Sequence, residues 1–457
     1  MRGMREDIVE ALKNIVGDDW VVNNPEAVKS YLEDETEPGV KVEPAPATDV
    51  VVVKPVNAQE VSEILKLANR EGVPVYVRGG GTGLACGCVP SKPGVVISME
   101  RMKEIEIDKE NLMAVVGAGV TLGELLKAAA KEGFFFPPHP GDEGAQIGGL
   151  IACNAVGARA VRTGPMRNYV LGLEVVLPTG EILRLGGRLV KDNTGAGKLM
   201  HLFIGTEGIL GVITKAVLRL SPQYKATATM VVPFNDRRAC LNTVPEILQS
   251  GIIPLGIEYV QKKEVELTAK RLGLEWPSKE GEYYLLIMLA EFNEDTLYAQ
   301  LEEIASICRK NGSLEPLLAE TPEEQTNILK IRSEIYPTLK PYMEDSPDIT
   351  VPPANIGKLI EELEKLERKY DIYIPLFGHA ADGNLHPVIP VKEGWTKEQY
   401  EKLRMEMYQI AVKLGGVTTG EHGVGEARKK YLKLNLSNEA IETLRKIKKV
   451  LETTPSH

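Results

Sequence analysis

The chain has five cysteines in 457 residues, at positions 86, 88, 153, 240 and 308, and no CxxC pair among them. That spacing excludes the usual thiolate framework of an iron–sulfur cluster or structural zinc, leaving reduced core or loop residues. Positive charge is also short. Against 64 Asp and Glu there are 54 Lys and Arg, and the net charge of −10 argues against a nucleic-acid or anionic-membrane surface. No apolar run is long enough to span a bilayer. Met1-Arg2-Gly3-Met4-Arg5-Glu6-Asp7 opens an amphipathic helix and not a signal peptide, so a cytoplasmic location is expected, with peripheral membrane attachment through a partner left open. Internal repeats and low-complexity segments are missing as well.

A chain of this length is too large for one ordinary core, so two or three domains are expected. Its 43% hydrophobic and 26% charged content is that of a soluble globular protein. Short helices are expected at 5–16 and 26–33. A βαβ pattern follows, with strands at 50–53 and 73–77 and a helix at 58–70 opened by a capping box from Asn57 and Glu60. The run Ala114-Val115-Val116 reads as a strand leading to Thr121, which caps a helix at 122–131. Strands at 169–177 and 181–185 alternate with glycine-rich loops at 137–142, 147–158 and 202–213. After Ser221-Pro222 the texture changes. Strands at 227–233, 254–260 and 283–292 alternate with helices at 237–249, 262–272 and 295–311, a second α+β region. A helix at 356–369 buries Ile356, Leu359, Ile360, Leu363 and Leu366, and further helices are expected at 397–414 and 437–451.

Two stretches carry chemistry. In Val77-Arg78-Gly79-Gly80-Gly81-Thr82-Gly83-Leu84, three glycines after a strand let main-chain N–H groups approach a pyrophosphate, though a plain turn reads the same way. The spacing fits neither a Rossmann nor a Walker site. In Gly378-His379-Ala380-Ala381-Asp382-Gly383-Asn384-Leu385-His386, Asp-Gly is a preferred two-residue hairpin turn. Pairing outward from it sets His379 opposite His386, with Cβ atoms about 5 Å apart. Such a pair could chelate a divalent metal or be two satisfied loop histidines. Glu421, beside His422 in a glycine-rich loop, would complete three ligands and leave an open position, the pattern of a catalytic metal.

The segments at 78–83, 147–157, 205–213, 378–386 and 420–425 together resemble, in order, the FAD-linked oxidase family of D-lactate dehydrogenase and the glycolate oxidase flavoprotein subunit. The resemblance implies an α+β fold: a vanillyl-alcohol-oxidase-type FAD-binding domain at 1–222, a substrate or cap domain with an antiparallel sheet at 223–410, and a C-terminal segment at 411–457 returning to the first. It implies that Gly79, Gly80, Gly81, Thr82 and Gly83 hold the FAD pyrophosphate, with Arg78 also among the cofactor-binding residues. Pro140, Gly141, Ile147, Gly148, Gly149, Ala152, Asn154 and Gly157 would line the isoalloxazine and ribityl region, with Glu207 and Ile213 at the AMP portion. Thr82 in place of a histidine favours noncovalent FAD, with His139 the residue that could alter this.

His379, His386 and Glu421 would bind zinc, manganese or iron, and His422 would be the general base. The metal would polarise the substrate's 2-hydroxyl, His422 would remove its proton, and the C2 hydrogen would leave as hydride to flavin N5. Arg332 resembles the arginine that grips the substrate carboxylate, the alternative being a surface pair with Glu334 or Glu323. The implied activity is oxidation of a D-2-hydroxy acid, D-lactate or a close analogue, to the 2-oxo acid. Electrons would pass to an electron-transferring flavoprotein, an iron–sulfur subunit or a quinone, in a homo- or hetero-oligomer. Alternatives are a glycolate oxidase subunit, an alkylglycerone-phosphate-synthase-like enzyme, and a non-catalytic flavoprotein subunit of an electron-transfer complex. The sequence departs from the family at Ile328-Leu329-Lys330, where an aromatic is usual, at Ala155-Val156-Gly157, and at Asn193-Thr194-Gly195-Ala196-Gly197. It ends in Pro455-Ser456-His457 without the usual Asn-Pro-Gly-Lys, so one flavin contact from that end is expected to be missing.

Overall fold

The run Val50–Val53 is apolar at every position, a pattern that suits a strand covered on both faces. The structure, a computed structural model describing residues 5–452, places it inside a four-stranded sheet ordered Val21–Val22, Val50–Val53, Gly94–Ser98, Val75–Arg78. The last three strands run parallel. Between Val50–Val53 and Val75–Arg78 the helix Ala58–Glu71 crosses over, capped by the Asn57 side chain on the Glu60 amide. The Glu60 carboxylate reaches past Asn57 to the Val56 amide, so the expected capping box is not closed. Gly94–Ser98, unforeseen in the sequence, inserts between the two strands of the expected βαβ unit.

A five-stranded antiparallel sheet follows, ordered Ile105–Asp108, Met113–Gly117, Val212–Arg219, Val170–Val176, Ile182–Gly186. Two expectations change here. The stretch from 26 shortens to Pro25–Val28 and a 3-10 turn at Lys29–Tyr31, and the expected loop from 147 opens as a helix, Ile147–Ala152. The C-terminal residues Pro455, Ser456 and His457 lie outside the described residues.

The second sheet system has seven antiparallel strands, ordered Leu317–Ala319, Ala226–Phe234, Tyr283–Glu291, Gly256–Gln261, Leu376–His379, Asn384–Pro387, Ile349–Thr350. Alternation sends Ile257, Tyr259, Leu285 and Ile287 to one face, where helices Arg237–Gln249, Glu294–Lys310, Ile356–Tyr370 and Lys397–Lys413 cover them. The intervening residues Val260, Tyr284, Leu286 and Phe377 face helices Lys262–Leu272 and Pro322–Ser333. All five residues of the expected stripe on Ile356–Tyr370 are buried.

A buried ionic clasp joins distant parts of the chain. Arg428 donates to both oxygens of Asp345, at 2.7 and 2.9 Å, and to the Tyr408 hydroxyl at 2.7 Å. Arg404 Nε donates to Asp345 Oδ2 at 2.5 Å, and Glu37, from the N-terminal region, lies 3.3 Å from Arg428 and accepts from the Tyr336 hydroxyl at 3.0 Å. Burial alone would raise the Asp345 carboxyl, but Arg428 and Arg404 outweigh it and hold the group at about 2. The folded value lies below the unfolded one of about 3.9, so this stabilisation is full above that value and is lost as pH falls through about 2. Asp345→Asn leaves two buried guanidinium groups short of a partner. It is expected to cost about 3–5 kcal/mol in denaturant unfolding at pH 7, with the gap to wild type narrowing in acid; an unchanged midpoint would deny the clasp any role in stability.

Candidate functional site

The paired strands Gly256–Gln261, Leu376–His379 and Asn384–Pro387 bring Glu258, Phe377, His379 and His386 together on one face of the large sheet. The turn differs from expectation. His379 pairs with Asn384 and Phe377 with His386, so the loop has four residues and not two. Asp382 Oδ1 accepts the Asn384 amide, and positive φ falls on Gly383 (+83°) without extending to Asp382, which closes a wider turn. The shift is two positions, one full side-chain period, so both imidazoles keep the same face. They meet diagonally, ring centroids 5.6 Å apart and perpendicular.

The loop that carries Glu421 and His422 is held from two sides. Asp348, on the edge of the large sheet, is buried, and its Oδ2 accepts from the Thr419 hydroxyl and the amides of Gly420, Glu421 and His422, at 2.7–2.8 Å. Its other oxygen accepts from Asn384 Nδ2 at 2.8 Å. From the first sheet system, Glu207 accepts the amides of Val424 and Gly425 at 2.6 and 2.7 Å. Asp348 and Glu258 were not singled out in the sequence; for Glu258 the available signal was a lone carboxylate inside the run Gly256-Ile257-Glu258-Tyr259-Val260, and for Asp348 there was none.

His379 Nε2 and His386 Nε2 lie 3.2 and 3.3 Å from the same oxygen, Glu421 Oε1. Ligands on one divalent ion with bonds of about 2.1 Å stand about 3.0–3.4 Å apart, so each imidazole nitrogen stands at ligand spacing from the Glu421 oxygen. The other His379 nitrogen is 2.6 Å from Glu258 Oε1, which fixes the tautomer and leaves Nε2 facing Glu421. Burial disfavours a charged His379, yet Glu258 and Glu421 on either side push its pKa well above the ordinary imidazole value. The pocket is therefore short of positive charge, a condition a cation would relieve. Donor atoms of Asp348, His386, Glu421 and His422 also lie within 4.8 Å of one another. Because Asp348 Oδ2 already accepts four hydrogen bonds and Oδ1 a fifth, Asp348 braces the loop; His386, Glu421 and His422 of this group could hold a metal, as could His379, whose Nε2 lies 3.2 Å from Glu421. His422 stacks on His386 with ring centroids 5.1 Å apart, and burial lowers its pKa below the ordinary value.

Glu421 and His422 line a cavity whose remaining wall includes 79–83, Pro140, Gly148, Gly149, Ala152, Glu207 and Ile213. A Cβ on Gly80 would sit 2.8 Å from the Gly144 carbonyl, so glycine lets that loop lie close to its neighbour. Two buried acceptors on cavity-lining residues, Asp34 Oδ2 and Gln146 Oε1, have no hydrogen-bond partner among the described residues. A cofactor with hydroxyl and N–H donors fits them, as FAD has along its ribityl and ring edges.

The remaining expected contacts do not line this cavity. The Arg78 guanidinium donates to the Glu33 carbonyl at 2.7 Å and packs under Gly81, bracing the loop. The Ile147 side chain is buried in the core, Asn154 accepts the Arg167 amide, and Gly157 (φ +113°) packs on His139 and Pro140 beside Gly141. Glu207 reaches the cavity, but both its oxygens serve the 424–425 amides. His139 turns to Glu143, 3.2 Å away.

Arg332 is not a surface residue. Ile328 and Ile331 seat its helix on the sheet, which sets the guanidinium 5.3 Å from the Phe377 ring centroid and 2.5 Å from Glu258 Oε2. Glu334 pairs with Arg271 instead. Arg332 Nε has no hydrogen-bond partner among the described residues.

Residues 50–186 match the family model described as an FAD binding domain, and residues 223–453 match that of the FAD linked oxidases, C-terminal domain. A D-lactate dehydrogenase of Archaeoglobus fulgidus is 43% identical over 419 residues, 92% of each chain. The glycolate oxidase subunit GlcD of Bacillus subtilis is 35% identical, covering 87% of this chain and 85% of its own. Among solved structures, an alkyldihydroxyacetonephosphate synthase aligns with a TM-score of 0.75 at 19% identity, covering 99% of this chain and 85% of that one. A 4-ethylphenol oxidase from Gulosibacter chungangensis aligns at 0.74 and 15% identity, covering 98% and 94%. These last two speak to the fold, which is of the vanillyl-alcohol-oxidase type with an α+β cap. With both family models matched in order and relatives aligned over most of its length, the chain belongs to the FAD-linked oxidase family and is an FAD-dependent oxidoreductase.

Proposed function

We propose that this protein oxidises a D-2-hydroxy acid, D-lactate or a close analogue, to the 2-oxo acid and passes the electrons to a separate acceptor. The observation that carries this reading is the convergence of His379, His386 and Glu421 beside His422 at the wall of the FAD cavity. Relatives named D-lactate dehydrogenase support it. His422, kept neutral by burial, takes the 2-hydroxyl proton. His379, His386 and Glu421 would hold a zinc, manganese or iron ion, which supplies Lewis acidity at that hydroxyl. Bound FAD supplies the acceptor for the hydride that leaves C2. Arg332 engages the carboxylate through nitrogens not given to Glu258. The absence of a CxxC pair supports an external electron acceptor, whether an electron-transferring flavoprotein, an iron–sulfur subunit or a quinone.

The glycolate oxidase relative favours glycolate as a second reading. Anaerobic mixing of the FAD-loaded, metal-replete protein with D-lactate, L-lactate, glycolate and D-2-hydroxyglutarate separates the two. Bleaching of the flavin by D-lactate is expected, bleaching by glycolate alone selects the second reading, and no bleaching by any acid removes both. Arg332→Lys keeps the charge but loses the fork. It is expected to raise KM about 10–100-fold with a smaller change in kcat, the loss of roughly one charged hydrogen bond, read by steady-state kinetics with an artificial acceptor.

A further inference from the structure

Glu258 is a buried carboxylate, 1% exposed, on the strand next to the metal-binding hairpin, directly across from His379 in the sheet register. Its two oxygens are divided. Oε1 lies 2.6 Å from His379 Nδ1, and Oε2 lies 2.5 Å from Arg332 Nη2. Arg332 comes from a helix on the face of the sheet that His379 occupies, with a side chain 12% exposed and anchored over Phe377. One carboxylate thus touches two groups that the proposed reaction uses at opposite ends of the substrate head: His379, which would help hold the metal at the hydroxyl, and Arg332 at the carboxylate.

We infer that Glu258 is a positioning residue that fixes the separation between His379 and Arg332, and so selects acids whose hydroxyl is on the carbon next to the carboxylate. The inference rests on the functional reading above. A carboxylate spans its two partners with no rotatable bond between the two oxygens, so the separation is set by a rigid group and by strand pairing, not by two independent side chains. A 3-hydroxy acid carries its hydroxyl one carbon further away and does not match this spacing. His379 depends on Glu258 for its tautomer, so the same residue also governs how tightly the metal is held.

The test compares wild type with Glu258→Gln, each loaded with FAD. Zinc affinity is measured by competition with a chromogenic chelator, and anaerobic flavin reduction is followed with D-lactate and with D-3-hydroxybutyrate. The glutamine still offers an oxygen to His379 but loses the charge that holds Arg332. The expected result is an unchanged flavin spectrum, zinc held about 10–100-fold more weakly, and a preference for D-lactate over D-3-hydroxybutyrate that shrinks by about tenfold. Zinc affinity equal to wild type, or an unchanged preference, overturns the proposal and leaves the functional reading standing. Wild type whose flavin is reduced by neither acid, when loaded in turn with zinc, manganese and iron, overturns both. Should Glu258→Gln fail to fold, Arg332→Met tests the link from its other end. Arg332 is no metal ligand, and removing its charge leaves Glu258 wholly to His379, so zinc is expected to bind about fivefold more tightly; unchanged affinity there overturns the proposal.

Discussion

His422→Asn is expected to slow anaerobic flavin reduction by D-lactate by about 10²–10⁴-fold, the usual contribution of a positioned general base. The site explains why so large a loss need not come from misfolding. His422 is fixed through its main-chain amide, which donates to Asp348 at 2.8 Å, so the loop stays anchored whatever side chain it carries. Among the described residues the ring has no hydrogen-bond partner at Nδ1, and burial favours its neutral form, the form that can accept a proton. The FAD spectrum and melting temperature of the variant should match wild type, and reduction by dithionite should be undisturbed. A variant that reduces its flavin with D-lactate at nearly the wild-type rate would show that another group takes the proton.

Removing divalent ions is expected to suppress the same half-reaction by about 10³-fold or more, because an alcohol unaided is far too weak an acid for an imidazole to deprotonate, and a metal supplies several kcal/mol there. The protein should keep its FAD through the treatment. None of His379, His386 and Glu421 belongs to the glycine loop at 79–83, and of the three Glu421 alone lines the cavity that this loop borders. Exhaustive dialysis against a chelator, followed by stopped-flow mixing with D-lactate, measures the loss, and adding back zinc, manganese or iron in turn identifies the ion by recovery. Full activity in protein shown by elemental analysis to hold less than a tenth of an equivalent of metal would end the metal-assisted reading.

Much of this arrangement was legible in the sequence, for local reasons. Helix 237–249 and the stripe on 356–369 were readable because an amphipathic period is written in consecutive residues. His379 and His386 could be named from the alternation of a hairpin, and Glu421 from the glycines on either side of it. The two-residue turn was a misreading with little consequence. Asx bonding by Asp382 overrode the Asp-Gly preference, and the slip happened to be a whole side-chain period. What escaped notice depends on long-range pairing. Glu258 meets His379 across 121 positions and Asp348 meets the 419–422 loop across more than 70, and no local pattern reports either partner. Arg78 was misplaced for a related reason: next to a phosphate-type glycine loop it looks like an anion ligand, while the fold turns it toward the carbonyls of Ser30 and Glu33.

The loop bearing Glu421 and His422 is stitched by Asp348 to the seven-stranded sheet and by Glu207 to the first sheet system. Such a double seam bears on how the enzyme matures. Neither half of the molecule can shape the reaction centre alone, since each supplies one of the two carboxylates that hold this loop. During refolding, far-UV signals from the separate sheets can recover early, whereas catalytic competence must wait for the last docking event. The seam also bars a clamshell cycle in which the cap swings away between turnovers, because opening would tear hydrogen bonds from a buried carboxylate.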